Sequence, residues 1–282
     1  MQVAWGAATD AGGRRAANED AVLAQPPVFL VADGMGGHVH GAMASAAVVR
    51  TFAEFSDSWH PEVEVHGADV LAAIHTAQAR IRAELSDRGG GPITAGSTVA
   101  GAVLTGHEGA PYWLVFNVGD SRVYRFTGGA LVQVSVDHSV MQEMLDAGSL
   151  QPDQVAVFTH KHVITRAVDS GSDTKADFWL LAAGTQERLV LCTDGLLDEL
   201  SEDRVAQILA EQSLASAAAE TLLAAAIEGG ARDNVSVVVV DLAGAGELAH
   251  TAPRVQAGDE FEALGTTVPR EQVMRTEGSA WQ

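Results

Sequence analysis

The sequence predicts an α+β domain built largely on antiparallel sheets. Five short apolar runs, rich in β-branched residues and bounded by Gly, Asp or Asn, have the character of buried strands. They are Val28–Ala32, Thr98–Leu104, Trp113–Val118, Arg188–Cys192 and Val235–Leu242. Five longer segments carry helical periodicity, namely Gly41–Phe55, Ala68–Leu85, Ser139–Ala147, Ser201–Glu211 and Leu214–Ile227. The resulting order, with two helices between the first strands and two before the last, lacks the regular alternation of a doubly wound parallel fold.

Composition supports a substantial core and excludes some partners. Hydrophobic residues make up 47% of the 282 residues, which is ample for a folded domain. The 17 Lys and Arg against 37 Asp and Glu give a net charge of −20. A chain of this charge is repelled by nucleic acid and by anionic lipid, so neither is predicted as a partner. The acidic excess fits either a solubilising surface or a cation site, and composition alone does not choose.

The distribution of residue types predicts a soluble cytoplasmic protein. Cys192 is the only cysteine, so no disulfide framework is possible. The N-terminal segment lacks the basic start and apolar stretch of a signal peptide, and no apolar run approaches the ~18 residues of a spanning helix. After Leu242 the composition shifts to Gly, Ala, Glu, Thr and Pro without periodicity. We therefore expect a domain over residues 1–242 and a mobile tail over 243–282.

Acidic residues recur at the ends of the predicted strands. Asp33, Asp120 and Asp194 each follow an apolar run, whereas Asp233 precedes the last one. An acid at the start of one strand meets acids at the ends of others only if that strand runs antiparallel. Gathering four carboxylates without compensation is costly, so a bound cation is expected. Each Asp taken alone could instead be a turn-former beside Gly or Asn.

The residue types near these acids indicate the chemistry. Carboxylates, a backbone carbonyl and water suit Mg²⁺ or Mn²⁺, whereas zinc favours His and Cys. Arg14 and Arg15 precede Asn18-Glu19-Asp20, and a guanidinium beside such a cluster suits a phosphate dianion. An isolated Arg pair can equally be a solvated turn. Cys192 has no Arg in the loop that follows it and is interpreted as a buried strand residue rather than a nucleophile.

An ordered set of motifs, from about Trp5 to Leu242, resembles the bacterial metal-dependent serine/threonine protein phosphatases of the type 2C (PPM) family. The motifs are Arg15-Ala-Ala-Asn-Glu-Asp20, Val31-Ala-Asp-Gly-Met-Gly-Gly-His38 with Gly41 and Ala44-Ser45, Gly96-Ser-Thr98, Val118-Gly-Asp-Ser-Arg122-Val-Tyr124, Asp137-His-Ser139, Ile164-Thr-Arg-Ala167, Leu191-Cys-Thr-Asp-Gly-Leu196 and Asp233-Asn234. One such motif is weak evidence, but the full set in this order is highly specific. It implies an αββα sandwich, in which two stacked antiparallel sheets are flanked by helices.

The resemblance also implies roles for individual residues. Two metals would be bridged by Asp33 and bound by the Gly34 carbonyl, Asp194 and Asp233. Glu19 would lie close by, directly or through water. A third metal would be held by Asp120 with Asp194. Arg15 would hold the substrate phosphate, and His38 is the candidate proton donor to the leaving group.

The implied function is hydrolysis of phosphoserine and phosphothreonine in proteins by a water activated between two divalent cations, Mn²⁺ or Mg²⁺. The implied partners are phosphoproteins and a cognate Ser/Thr kinase, and the chain is expected to be a monomer. Two other classes stay open: a metal-dependent esterase or nuclease, and a binding module that senses a kinase or phosphoprotein. The net charge disfavours a polyanionic substrate, and a docking surface needs no clustered acids.

Three positions depart from the family pattern. Met35 lies where eukaryotic members carry His, Val168-Asp169 lies where Gly is typical, and His160-Lys161-His162 lacks the usual Arg. The last two lie around a predicted flap, from about Ser139 to Ile164, so they bear on substrate preference. The His160–His162 cluster either contacts substrate or forms a solvated loop.

Overall fold

A computed structural model describes residues 2–60, 62–87, 95–169, 171, 174–184 and 187–243. The strands are β1 Gln2–Asp10, β2 Ala21–Gln25, β3 Val28–Ala32, β4 Gly34–Met35, β5 Gly96–Ser97, β6 Val99–His107, β7 Ala110–Val118, β8 Arg122–Thr127, β9 Ala130–Gln133, β10 Val168–Asp169, β11 Asp177–Ala182, β12 Glu187–Cys192 and β13 Val235–Ala243. The α-helices are α1 His38–Ser58, α2 Gly67–Asp87, α3 Val140–Asp146, α4 Asp194–Glu199, α5 Glu202–Glu211 and α6 Ala215–Gly229, with a 3₁₀ turn at Pro152–Val157.

Two five-stranded antiparallel sheets form the centre of the molecule. One has the order β1-β13-β12-β8-β9 and the other β11-β7-β6-β3-β2. A small three-stranded sheet, β10-β5-β4, lies beside them. All of these pairings are antiparallel, as the sequence predicts.

Three hydrophobic layers establish the order helix, sheet, sheet, helix. The middle layer contains side chains of both sheets, among them Val31 and Val238. A second layer joins β3, β6 and β7 to α1 and α2, and a third joins β12 and β13 to α4, α5 and α6. Leu30 and Val31 point into different layers, and so do Val237 and Val238. Because both faces of these strands are buried, their sequences read as continuous apolar runs. The predicted αββα class is confirmed.

The five predicted strands and five predicted helices are all present. β3 has the predicted bounds, and the ends of the others are shifted by up to three residues. Ser139 and Ser201 lie one residue outside their helices as N-caps, accepting hydrogen bonds from the amides of Gln142 and Arg204. This is the usual place of serine at a helix start, because its side chain satisfies an amide that has no partner within the helix.

Five longer strands, β1, β2, β8, β9 and β11, were not predicted. The clearest case is β1, whose Ala and Gly residues have low strand propensity. It forms because β13 pairs with it over nine residues, from Gln2 opposite Ala243 to Asp10 opposite Val235. Long-range pairing therefore overrides local preference here.

No helix in the described part of the chain is both long and apolar enough to cross a membrane. Of the predicted tail, only Ala243, the last residue of β13, falls within the described residues. The domain boundary at Leu242 stays a prediction.

Candidate metal centre

Four acids predicted from the strand ends lie at one rim of the stacked sheets. Asp33 follows β3 and Asp120 follows β7, two strands that run in the same direction on either side of β6. Asp194 begins α4 directly after β12, and Asp233 lies just before β13. Since β12 and β13 are antiparallel, the end of one and the start of the other reach the same rim.

A pair of hydroxyl groups ties Asp33 to the loop that carries Asp120. The Asp33 amide donates to Thr98 Oγ1 at 3.0 Å, and the Thr98 amide donates to the Asp33 carbonyl at 2.9 Å. Thr98 Oγ1 in turn lies 2.7 Å from Ser121 Oγ, and both hydroxyls are buried. The strand-end loops are thus held together by side chains of the Gly-Ser-Thr and Gly-Asp-Ser motifs.

Asp20 belongs to the same group, although sequence reasoning selected its neighbour Glu19. Its Oδ2 accepts hydrogen bonds from Thr193 Oγ1 at 2.9 Å and Ser236 Oγ at 2.7 Å. Its Oδ1 is buried and has no hydrogen-bond partner among the described residues. Burial raises the pKa of Asp20 to about 7. The two hydroxyl bonds oppose this shift, and the charges of Asp194 and Asp233 add to it. The available signal was the Asn-Glu-Asp motif, which does not say which acid faces the others.

The carboxylates of this rim repel one another. Burial raises the pKa of Asp33 well above its usual value, and the charges of Asp20, Asp194, Asp120 and Asp233 raise it further. Burial is also the main cause that raises the pKa of Asp120 to about 7, and the charge of Asp194 is the second cause. Asp33 is half-buried rather than fully enclosed, so a cation has access to it from solvent. The like charges make this rim a place where a cation is strongly favoured.

Arg15 lies at the edge of the cluster. Its NH2 group donates to Asp233 Oδ2 at 2.6 Å, and this bond is the main reason that the Arg15 pKa is raised. The Arg15 side chain is 49% exposed, so it is accessible to a molecule that approaches the rim.

The predicted flap reaches the same rim. His162 Nδ1 lies 3.1 Å from Asp194 Oδ2, and this hydrogen bond is the main cause that raises the pKa of His162. Lys161 Nζ donates to Asp198 at 2.9 Å, one turn further along α4. Two of the three residues in the His160–His162 cluster therefore contact acids of α4. Both side chains also remain about half exposed to solvent.

The backbone is tightly packed around Gly34. This residue pairs with Ser97 in the small sheet, and a Cβ at Gly34 would overlap the carbonyl of Gly41. A Cβ at Gly41 would overlap the Glu19 carboxylate, which places that carboxylate beside Gly34. The backbone of His38 begins α1, but its side chain lies outside the described residues.

The residues of the rim fit divalent cations that prefer oxygen. Within the described ranges, no three His, Cys, Asp or Glu side chains already stand as a complete metal cage. The fit rests instead on the donors: mutually repelling carboxylates and a buried Asp20 oxygen without a partner. Such hard donors suit Mg²⁺ or Mn²⁺.

The amino-acid sequence is similar to that of known proteins over most of its length. The family model described as protein phosphatase 2C matches residues 13–229. The Mycobacterium tuberculosis serine/threonine protein phosphatase PstP is 31% identical over 84% of this chain. This chain spans only 45% of that protein's length.

Two further proteins are similar to this chain over most of their own length. The Listeria monocytogenes serine/threonine phosphatase Stp is 28% identical, over 76% of this chain and 84% of its own length. The crystal structure of the PstP catalytic domain in complex with two manganese ions superimposes with a TM-score of 0.72 and 29% identity. That alignment covers 85% of this chain and 97% of the crystallised one.

Proposed function

The chain belongs to the protein phosphatase 2C family, and on this premise we propose that it hydrolyses phosphoserine and phosphothreonine in proteins with the help of divalent cations. The observation that carries the proposal is the carboxylate cluster around Asp33, in which burial and like charge raise the pKa values of Asp20, Asp33 and Asp120. Arg15 at the edge of that cluster supplies a positively charged guanidinium for the phosphate.

The rim supplies ligands for two cations, Mn²⁺ or Mg²⁺, and for a third. The pair would be held by Asp33, the Gly34 carbonyl, Asp194 and Asp233, with Asp20 and Glu19 beside them. Asp120 with Asp194 would hold the third. When bound, the cations lower the pKa of a shared water towards roughly 7 and neutralise phosphate charge.

The chain's own residues bind and orient the substrate. Arg15 is half-exposed, so its guanidinium can turn from Asp233 to two oxygens of a phosphate dianion. In that position it stabilises charge on the oxygens that do not react. His38, at the start of α1, is proposed to protonate the leaving serine or threonine oxygen.

The substrates are proposed from the names of the relatives, which are serine/threonine protein phosphatases. A cognate Ser/Thr kinase and its targets are the corresponding partners, and a monomer is the proposed working unit. The flap residues Lys161 and His162 lie against α4, so the flap is the segment expected to contact the protein part of the substrate.

The protein should hydrolyse phosphothreonine peptides only when Mn²⁺ or Mg²⁺ is present. The carboxylates cannot fill their role without a cation, so EDTA should abolish turnover and added Mn²⁺ should restore it. Phosphate release from a phosphopeptide, followed over a range of free Mn²⁺, measures this. Full turnover in metal-free buffer would refute the proposal.

The same assay separates the proposal from a nuclease or diesterase that uses the same cations. Single-stranded DNA and bis(p-nitrophenyl) phosphate serve as diester substrates under identical Mn²⁺. Preference for either diester over the phosphopeptide would favour the alternative class.

Replacing Arg15 with alanine should lower kcat/KM for phosphopeptides by about tenfold to a hundredfold. A charge-assisted hydrogen bond contributes roughly 1.5–3 kcal/mol, and 1.4 kcal/mol corresponds to a factor of ten. Calorimetric titration should show Mn²⁺ affinity unchanged or tighter, because Asp233 loses a competing cation. The exposed Arg15–Asp233 pair adds little to stability, so the fold should persist.

Arg14→Ala is the matched control, since Arg14 is the neighbouring exposed arginine. It should leave kcat/KM close to that of the wild type. If Arg15→Ala instead lost Mn²⁺ binding together with turnover, Arg15 would be a structural partner of Asp233 and not a phosphate ligand.

A further inference from the structure

Gly119, which directly precedes Asp120, has a backbone conformation that needs support. Its φ is +105°, a value that side-chain-bearing residues rarely adopt. A Cβ at this position would also come within 2.6 Å of Thr98 Cγ2. The direction in which Asp120 leaves β7 therefore depends on how this glycine is held.

His138 holds both polar groups of Gly119. The His138 amide donates to the Gly119 carbonyl at 2.8 Å, and the Gly119 amide donates to His138 Nδ1 at 3.1 Å. The Asn117 side-chain amide donates to the same carbonyl at 3.0 Å. His138 and Asn117 are buried, so water does not compete for these bonds.

The hydrogen bonds also determine the tautomer of the His138 ring. Since Nδ1 accepts from Gly119, we assign the ring hydrogen to Nε2, which then donates to Asp177 Oδ2 at 3.1 Å. Arg166 NH1 also lies 3.1 Å from Nε2, and with this tautomer it contacts that nitrogen without donating to it. Asp177 is 1% exposed, and its other oxygen accepts from Arg166 NH1 at 2.9 Å. Arg166 thus orients Asp177, Asp177 orients the ring, and the ring orients Gly119.

The same residue is part of the flap's base. The Thr165 amide donates to the His138 carbonyl at 2.8 Å, and Ser139 forms a β-bridge with Ile164. The two ends of the flap are therefore joined at the residue that supports the Asp120 loop.

We propose that His138 is a positioning residue that fixes the Asp120 carboxylate towards Asp194 through its bonds to Gly119. The reason for such support is electrostatic. Asp120 is 8% exposed and is repelled by Asp194, so an unsupported loop would relax away from the cluster. The proposal rests on the proposed function, because it assumes that Asp120 serves a cation.

Two variants of His138 separate its bond to Gly119 from its bond to Asp177. Asparagine is short and can place an oxygen near the position of Nδ1, so His138→Asn can still accept from Gly119. Glutamine reaches the position of Nε2, so His138→Gln can still donate to Asp177 but loses the bond to Gly119. A residue with a merely structural role would show no preference for asparagine.

The experiment is a calorimetric titration of Mn²⁺ into each full-length variant without substrate. We expect His138→Gln to lose about tenfold or more in Mn²⁺ affinity at the site proposed for Asp120 and Asp194. A loss of this size is typical when a residue that orients a metal ligand is removed. His138→Asn should stay within about threefold of the wild type. In the Asp120→Ala background, His138→Gln should cause no further loss, because it acts through Asp120.

Asp241→Asn is the matched control. It weakens another ion pair with a buried partner, Arg188, at the ends of β12 and β13 that lie away from the rim. Its Mn²⁺ affinity should equal that of the wild type even if its melting temperature falls. If the His138 variants do not fold, Asp177→Asn replaces them. In Asp177→Asn the side-chain oxygen is needed to accept from Arg166, so the NH2 group faces Nε2 and favours the other ring tautomer. That tautomer would oppose two N–H groups at Gly119, so Mn²⁺ affinity should fall as in His138→Gln.

Equal losses in His138→Asn and His138→Gln, full additivity with Asp120→Ala, or wild-type Mn²⁺ affinity in Asp177→Asn would each overturn the inference alone. A wild-type protein that binds no Mn²⁺ would overturn the proposed function and this inference with it.

Discussion

Replacing Asp33 with asparagine should abolish Mn²⁺-dependent turnover while stabilising the metal-stripped protein. Loss of the metal ligand proposed here should remove several kcal/mol of transition-state stabilisation, which corresponds to about a thousandfold or more in rate. The stability gain follows from the raised pKa of Asp33, whose charge the folded state disfavours because of burial and four neighbouring acids. Asparagine has the same shape without the charge.

The pH dependence of this gain has a definite sign. An unfolded aspartate ionises near pH 3.9, whereas folded Asp33 ionises at a higher pH. The folded state therefore binds more protons between these two values, and stability falls as the pH rises through them. The advantage of Asp33→Asn should be present at pH 7 and absent below about pH 3.9.

Thermal denaturation in EDTA at both pH values, together with phosphopeptide turnover in Mn²⁺, tests this pair of effects. A rise in melting temperature of roughly 2 °C or more at pH 7 corresponds to about 1 kcal/mol for a domain of this size. Asp203→Asn, which neutralises an exposed acid on α5, should keep normal turnover. An inactive but destabilised Asp33→Asn protein would show that Asp33 supports the fold rather than a cation.

Replacing Gly34 with alanine should be nearly as severe, for a steric reason. The added Cβ would overlap the backbone carbonyl of Gly41, and it would also crowd the Glu19 carbonyl. Backbone atoms cannot rotate away, so we expect a loss of about 3 kcal/mol in the free energy of unfolding. The displaced loop should also cost a hundredfold or more in turnover, since a shift of about 1 Å in a catalytic group can have that effect.

Urea denaturation and phosphopeptide turnover of Gly34→Ala measure the two losses. Gly106→Ala, at the far end of β6, is the matched control, because its Cβ would make an ordinary contact of 3.4 Å with a flexible Glu64 side chain. Gly106→Ala should resemble the wild type in both assays. A stable and active Gly34→Ala protein would mean that the loop shifts freely and that the Gly34 carbonyl is not a ligand.

The parts of the fold that were predictable are those in which local pattern and tertiary environment agree. β3 and β13 are buried on both faces, so their sequences are continuous apolar runs that stand out from the rest. The residues of β1 carry no such signal, and their strand depends on a partner more than 220 positions away. A single sequence contains no information on that pairing.

The same distinction applies to the rim. Asp33, Asp120, Asp194 and Asp233 were found because each adjoins a recognisable strand. Asp20 precedes a short strand that was not predicted, so nothing local separated it from Glu19. Likewise, the support of Gly119 by His138 depends on a side chain from a different loop, 19 residues further along the chain.

The register of β1 against β13 also determines where the protein can be labelled or immobilised. Gln2 lies opposite Ala243, and Asp10 lies opposite Val235, two residues after Asp233. Eight residue steps along an antiparallel strand span roughly 27 Å. A fluorophore or surface tether attached at Gln2 or at Ala243 would therefore lie on the side of the sandwich opposite the carboxylates. The two attachment points are adjacent, so immobilisation through either of them would leave the carboxylate rim directed towards the solution.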